Sequence, residues 1–115
     1  MADKPVDITV VERVFEVVKS RRGGDPKVSY SAKLFARGRG KIAQKLGEEA
    51  VETIIAALEG SSEEVVSESV DLLFHLLLLW VDVGVKPKEV WAELARREGF
   101  SGLDEKKIKG GKHEK

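Results

Sequence analysis

The chain has 115 residues, with 20 Lys plus Arg against 20 Asp plus Glu and so no net charge. One domain is expected at this length, and the balanced charge offers no footing for nucleic-acid binding. Cysteine is absent, which excludes disulfides and thiolate metal sites and fits a reducing, cytoplasmic setting.

From the N-terminus, Met1 to Pro5 lacks the basic and apolar run of a signal peptide. Val10, Val11, Val14, Phe15, Val17 and Val18 are spaced for a first helix over about Asp7 to Lys19, with Asp7 as its cap. Arg21 to Pro26 reads as a loop. Ser29 to Ala36 predicts one or two helical turns, ended by Gly38 and Gly40. A long helix follows over about Lys41 to Leu58, with Ile42, Leu46, Val51, Ile54, Ile55 and Leu58 as its apolar stripe and Gly60 as its stop. Ser61 and Glu64 have capping-box spacing for the next helix, about Ser62 to Val83, closed by Gly84. Pro87 opens a last helix to about Arg97, and Gly99 stops it. The helical domain is expected over residues 1–100, and a Lys- and Gly-rich, mobile tail over 101–115. The fold class is all-α, a bundle of four to five helices.

Leu72 to Val83 is apolar nearly all the way round. A helix of that kind must be covered on every side, and few helices are available to do so, so a second subunit is expected. The apolar run around Leu76 to Val81, flanked by His75 and Asp82, is too short to span a bilayer; no membrane partner is expected.

Against this apolar background stand two acidic pairs, Glu48-Glu49-x-x-Glu52 and Glu68-x-x-Asp71. Residues three or four apart share a helix face, so Glu49 projects with Glu52, and Glu68 with Asp71. Two such faces turned toward each other bring at least four carboxylates together. Repulsion and lost hydration make that stable only around a cation. Oxygen-only ligands favour Mg2+, or Mn2+, over zinc. A solvated helix face is the ordinary reading of a Glu-rich stretch. It fails to explain Glu68, Asp71, His75 and Asp82, which lie near one stripe of a very apolar helix and are better read as lining a cavity. His75 is expected to orient its neighbours rather than to bind metal. Lys33, Arg37, Lys41 and Lys45 precede the acids at four-residue intervals. They are either a solvated basic face or a phosphate clamp, and their alignment depends on whether the glycines break the helix.

The run from Ser29 to Ala57, SYSAKLFARGRGKIAQKLGEEAVETIIAA, and that from Glu68 to Gly84, ESVDLLFHLLLLWVDVG, resemble the phosphoribosyl-ATP pyrophosphatases of histidine biosynthesis. These belong to the all-helical MazG-like nucleotide pyrophosphatases, marked by E-E-x-x-E followed by E-x-x-D. The resemblance spans roughly residues 8–97. Val70 and Phe74 depart from it, standing where Ala and Tyr are usual. It implies hydrolysis of phosphoribosyl-ATP to phosphoribosyl-AMP and pyrophosphate by a homodimer. Glu49, Glu52, Glu68 and Asp71 would then hold Mg2+, and Glu48 would be a further ligand or the group that orients the water. Lys33, Arg37, Lys41 and Lys45 would hold phosphates, and Tyr30 would pack on or hydrogen-bond the nucleotide. In some organisms the activity is fused to a cyclohydrolase with cysteine ligands to zinc; without cysteine, this chain is expected to perform one step only.

Three rivals remain at this level. A house-cleaning nucleoside triphosphate pyrophosphatase would share the metal site and differ in the nucleotide pocket. A di-iron bundle needs Glu-x-x-His on two helices, which the single nearby His75 does not supply. A helical interaction module would leave the acids merely solvated.

Overall fold

The computed structural model describes residues 3–99 and, among them, five α-helices and no strand. They are α1 (Thr9–Ser20), α2 (Tyr30–Arg37), α3 (Arg39–Glu59), α4 (Ser62–Val83) and α5 (Pro87–Arg97). The expected tail over 101–115 lies outside the described residues. None of the helices is long and apolar enough to cross a membrane.

Local chemistry sets most of the boundaries. The N-cap of α1 is Ile8 rather than the expected Asp7; Asp7, one residue earlier, accepts the Thr9 N–H on its carboxylate at 2.9 Å and the Val10 N–H on its carbonyl at 2.9 Å. Ser61 and Glu64 form the reciprocal capping box of α4, at 2.8 and 3.2 Å. A Cβ on Gly60 would displace the Glu64 carboxylate, so glycine here leaves room for the capping box. The two glycines expected to break the chain before α3 behave differently. Gly38 has φ +97° and ψ 172°, a conformation essentially reserved for glycine, and it separates α2 from α3. Gly40 lies inside α3. A helical glycine costs only about 1 kcal/mol relative to alanine, which the rest of a 21-residue helix easily absorbs.

The core gathers at one end of the molecule. Val11, Phe15 and Val18 of α1 meet Leu34 of α2, Ile42 of α3 and Leu77, Leu78, Trp80 and Val81 of α4. Ile42, Leu77, Leu78 and Val18 are fully buried, each worth roughly 1.5–3 kcal/mol of transfer free energy. Trp91 of α5 closes the group edge-on against Trp80, ring centres 6.0 Å apart, while its Nε1 donates to Glu12 at 3.1 Å. The C-terminal half of α4 is thus covered within the chain, by α1, α2, α3 and α5. The apolar surface left open lies elsewhere: Val51, Ile54, Ile55 and Leu58 on α3, and Val66, Val70 and Leu73 on α4.

Candidate active site

Helices α3 and α4 run antiparallel from the turn at Gly60 and Ser61, and this register decides which acids meet. The pairs Glu52/Glu68 and Glu49/Asp71 are both centred on that turn, so each carboxylate of α3 lands opposite one of α4. The side-chain bonds obey the same register. Arg39, at the start of α3, donates to Asp82, at the end of α4, at 2.6 Å. Midway, the Thr53 hydroxyl donates to the Glu49 carbonyl at 2.8 Å and lies 3.3 Å from that of Glu68. Neither Thr53 nor Arg39 stood out in the sequence. The spacing of the acidic pairs about Gly60 was the signal that could have found them.

Ligand oxygens of Glu49, Glu68 and Asp71 all lie within 4.8 Å of one another. Glu49 and Glu68 are half-buried and Asp71 is exposed. One oxygen of Glu68, Oε1, is shut off from solvent with no hydrogen-bond partner. Loss of hydration pushes the Glu68 carboxyl above its ordinary pKa, and the charges of Glu52, Asp71 and Glu49 push it further. A buried acceptor without a donor normally costs about 1–3 kcal/mol, and an incoming cation would satisfy it. Glu52, exposed, completes the group beside Glu68. Glu48, exposed, lies outside the closest trio: it accepts Gln44 at 2.9 Å and Lys45 at 3.1 Å, bonds that hold its carboxyl below the ordinary range.

Of the acids expected along this stripe and its partner helix, Glu49 and Glu68 are half-buried and Glu52 and Asp71 exposed within the single chain. Asp82 does not join them. It is held at the far end of α4 by Arg39, with Arg22 at 3.7 Å.

Tyr30 enters from the first turn of α2, where the Ser29 hydroxyl caps the helix by accepting the Ala32 N–H at 3.1 Å. Its hydroxyl lies 2.8 Å from His75 Nε2, and His75 Nδ1 lies 2.7 Å from the Asp71 carbonyl. His75 is buried with both nitrogens engaged, one of them on the backbone of a cluster residue. The Tyr30 ring also stacks near Phe74, centres 6.3 Å apart. Lys33 and Arg37 lie on the same face of α2 as Tyr30, exposed and without a side-chain bond among the described residues. Lys41 and Lys45 follow on α3, and Lys45 is committed to Glu48. A broad apolar hollow lined by Ile8, Trp91, Leu94 and Ala95 sits between α1 and α5, with none of the cluster residues in its walls.

An all-helical chain whose central hairpin confronts E-E-x-x-E with E-x-x-D belongs, by fold and site, to the MazG-like class. The model of the phosphoribosyl-ATP pyrophosphohydrolase family matches residues 11–98, a span that contains both acidic pairs. The chain is 61% identical to the phosphoribosyl-ATP pyrophosphatase of Paramagnetospirillum magneticum over 92% of its own length and 97% of that protein. Identity to the enzyme of the same name from Rhodospirillum rubrum is 61%, over 84% and 83% of the two chains. For Azospirillum brasilense it is 53%, over 92% and 96%. The chain is a member of the phosphoribosyl-ATP pyrophosphohydrolase family.

Proposed function

We propose that this chain hydrolyses phosphoribosyl-ATP to phosphoribosyl-AMP and pyrophosphate, the second step of histidine biosynthesis, as a Mg2+-dependent homodimer in the cytoplasm. The observation that carries the reading is the family match across both acidic pairs, joined to the meeting of those pairs on one hairpin face. Oxygen-only donors, one of them solvent-shielded and unpartnered, fit a hard divalent cation. Glu49, Glu52, Glu68 and Asp71 would hold it, with Mn2+ as a substitute. Such a cation polarises phosphate oxygens and neutralises charge on the leaving pyrophosphate.

The chain's own groups do the rest. Glu48, kept ionised by Gln44 and Lys45, is an acceptor that orients the attacking water. Lys45, Lys41, Lys33 and Arg37 hold phosphate oxygens and offset the charge that grows on them as the bond between the α and β phosphates breaks. Phosphoribosyl-ATP is too highly charged to cross a membrane unaided, which places the reaction in the compartment that makes it.

The apolar surface of the hairpin supports the dimer. Leu58 is 78% exposed, and Ile54, Val66 and Val70 more than half; contiguous apolar surface of this kind marks interaction sites.

The test is pyrophosphate release from phosphoribosyl-ATP with Mg2+, beside ATP and a panel of other triphosphates, with an EDTA control. EDTA-sensitive release confined to phosphoribosyl-ATP is the expected result. Release from the panel but not from phosphoribosyl-ATP would overturn the histidine-pathway reading and leave a general nucleotide pyrophosphatase.

A further inference from the structure

A second hollow opens on the outer face of α1. Val10, Val14 and Val17, spaced along one side of that helix, form one wall and Phe74 of α4 another, around about 330 Å3. Ligand pockets run from roughly 300 to 1,000 Å3, so the space suits part of a small molecule. Three cations stand in its lining, Lys4, Arg13 and Arg21, and no acid does. Ser31 of α2 lines it as well and is only 7% exposed. The Ser31 hydroxyl has no hydrogen-bond partner among the described residues, a costly state for a group so far out of water. Apolar walls suit the faces of rings, an unpaired hydroxyl can donate to or accept from a sugar, and the cations suit a phosphate.

The hollow shares a wall with the candidate active site. Phe74 follows Asp71 by one turn of α4, about 4.5 Å along the helix axis, and its ring stacks near Tyr30, centres 6.3 Å apart. A nucleotide whose triphosphate lies at the carboxylates and whose base reaches past Tyr30 arrives here. Phosphoribosyl-ATP has something to place at that point. Its phosphoribosyl group is carried on the base, at the end opposite the triphosphate, and terminates in a phosphate of its own. ATP ends at the base and leaves the cations without a partner.

We propose that this hollow binds the phosphoribosyl end of the substrate, with its phosphate at Lys4 and Arg21 and its sugar against Ser31. The inference rests on the phosphoribosyl-ATP reading above and names the residues that tell that substrate from ATP. Arg13 already donates to the Thr9 hydroxyl and the Pro5 carbonyl and acts as a fixed charge. Lys4 and Arg21 are exposed, hold no side-chain bond among the described residues, and close on the phosphate when it arrives.

Steady-state kinetics on phosphoribosyl-ATP with Mg2+ test it in two variants, the double variant Lys4→Gln with Arg21→Gln, and Ser31→Ala. The double variant is expected to raise KM by about tenfold or more, the worth of a hydrogen bond to a charged group. Ser31→Ala should raise it by about fivefold, the worth of a neutral one. Both losses should fall on KM rather than kcat, because these groups hold a part of the substrate that does not react. Ser31→Ala should also melt no lower than the parent, since its hydroxyl bonds nothing within the chain; a lower melt with KM unchanged would make Ser31 structural and overturn its role. An unchanged KM in both variants, with the parent active on phosphoribosyl-ATP, would overturn the subsite and leave the functional reading standing. A fall in mass by light scattering in the double variant would make the hollow a contact between copies and overturn it too. If the parent cleaves no phosphoribosyl-ATP, the functional reading falls, and equilibrium binding of phosphoribosyl-AMP against AMP decides the hollow. The parent should then favour phosphoribosyl-AMP and the double variant bind the two alike; equal affinities in the parent would sink the proposal.

Discussion

Glu68 carries the clearest cost in the molecule, since a charged oxygen is held out of water with no donor beside it. Its pKa lies above the ordinary value of 4.5 when the chain is folded, so folding takes up protons at this group. Without metal, its contribution to stability is then greatest below pH 4.5 and is lost as the pH rises through the raised value. Thermal melts in EDTA across pH 4–8 are expected to show that decline, and saturating Mg2+ to flatten it. Glu68→Gln removes the charge and keeps the shape. The variant is expected to melt higher than the parent in EDTA at pH 7, and to lose the metal-induced gain in melting temperature. Losing even an outer-shell partner of a metal costs about 10–100-fold in activity or affinity, so the loss of a ligand should cost at least that. A Glu68→Gln protein that binds Mg2+ as the parent does would remove Glu68 from the ligand set.

Among the elements, the glycines before α3 make opposite predictions from neighbouring positions. No atom lies within 4 Å of a Cβ added at either Gly38 or Gly40, so only backbone conformation separates them. Gly38→Ala forces alanine into a region it avoids and should cost about 1–3 kcal/mol. Gly40→Ala, inside the helix, should gain roughly 0.5–1 kcal/mol. Urea unfolding with an unchanged slope would check both. The contrast also marks what periodicity can read. The caps Ser61 and Glu64, the stop at Gly84 and the opening Pro87 are local signals, and α4 and α5 begin and end where those residues place them. Two glycines one residue apart look alike in sequence, because their φ is decided by whether α3 is worth extending past one of them. The bond from Tyr30 to His75 crosses 45 residues and has no local signal at all. The acidic pairs were legible as two faces, and their pairing follows from the hairpin register.

At the scale of the whole molecule, the apolar circumference of α4 divides into a part covered within the chain and a part left exposed. Leu77, Leu78, Trp80 and Val81 are covered by helices of the same chain, which sequence alone could not assign because those helices lie far away along it. Val66, Val70 and Leu73, with Val51, Ile54, Ile55 and Leu58 of α3, stay exposed, and they are the surface on which the proposed dimer would close. Leu58→Glu is expected to yield a monomer by light scattering while keeping its helical circular dichroism, since that side chain has little to lose inside the chain. An unchanged mass would move the dimer contact off this face. The same division gives the hairpin uneven protection against opening. Amides near Ile42 and Leu78 are locked by the core of a single chain, whereas those toward Leu58 and Val66 have only each other. Amide hydrogen exchange near the Gly60 turn should therefore quicken as the protein is diluted, while exchange around Ile42 and Leu78 holds steady; the far end of the hairpin would be as firm as its association and no firmer.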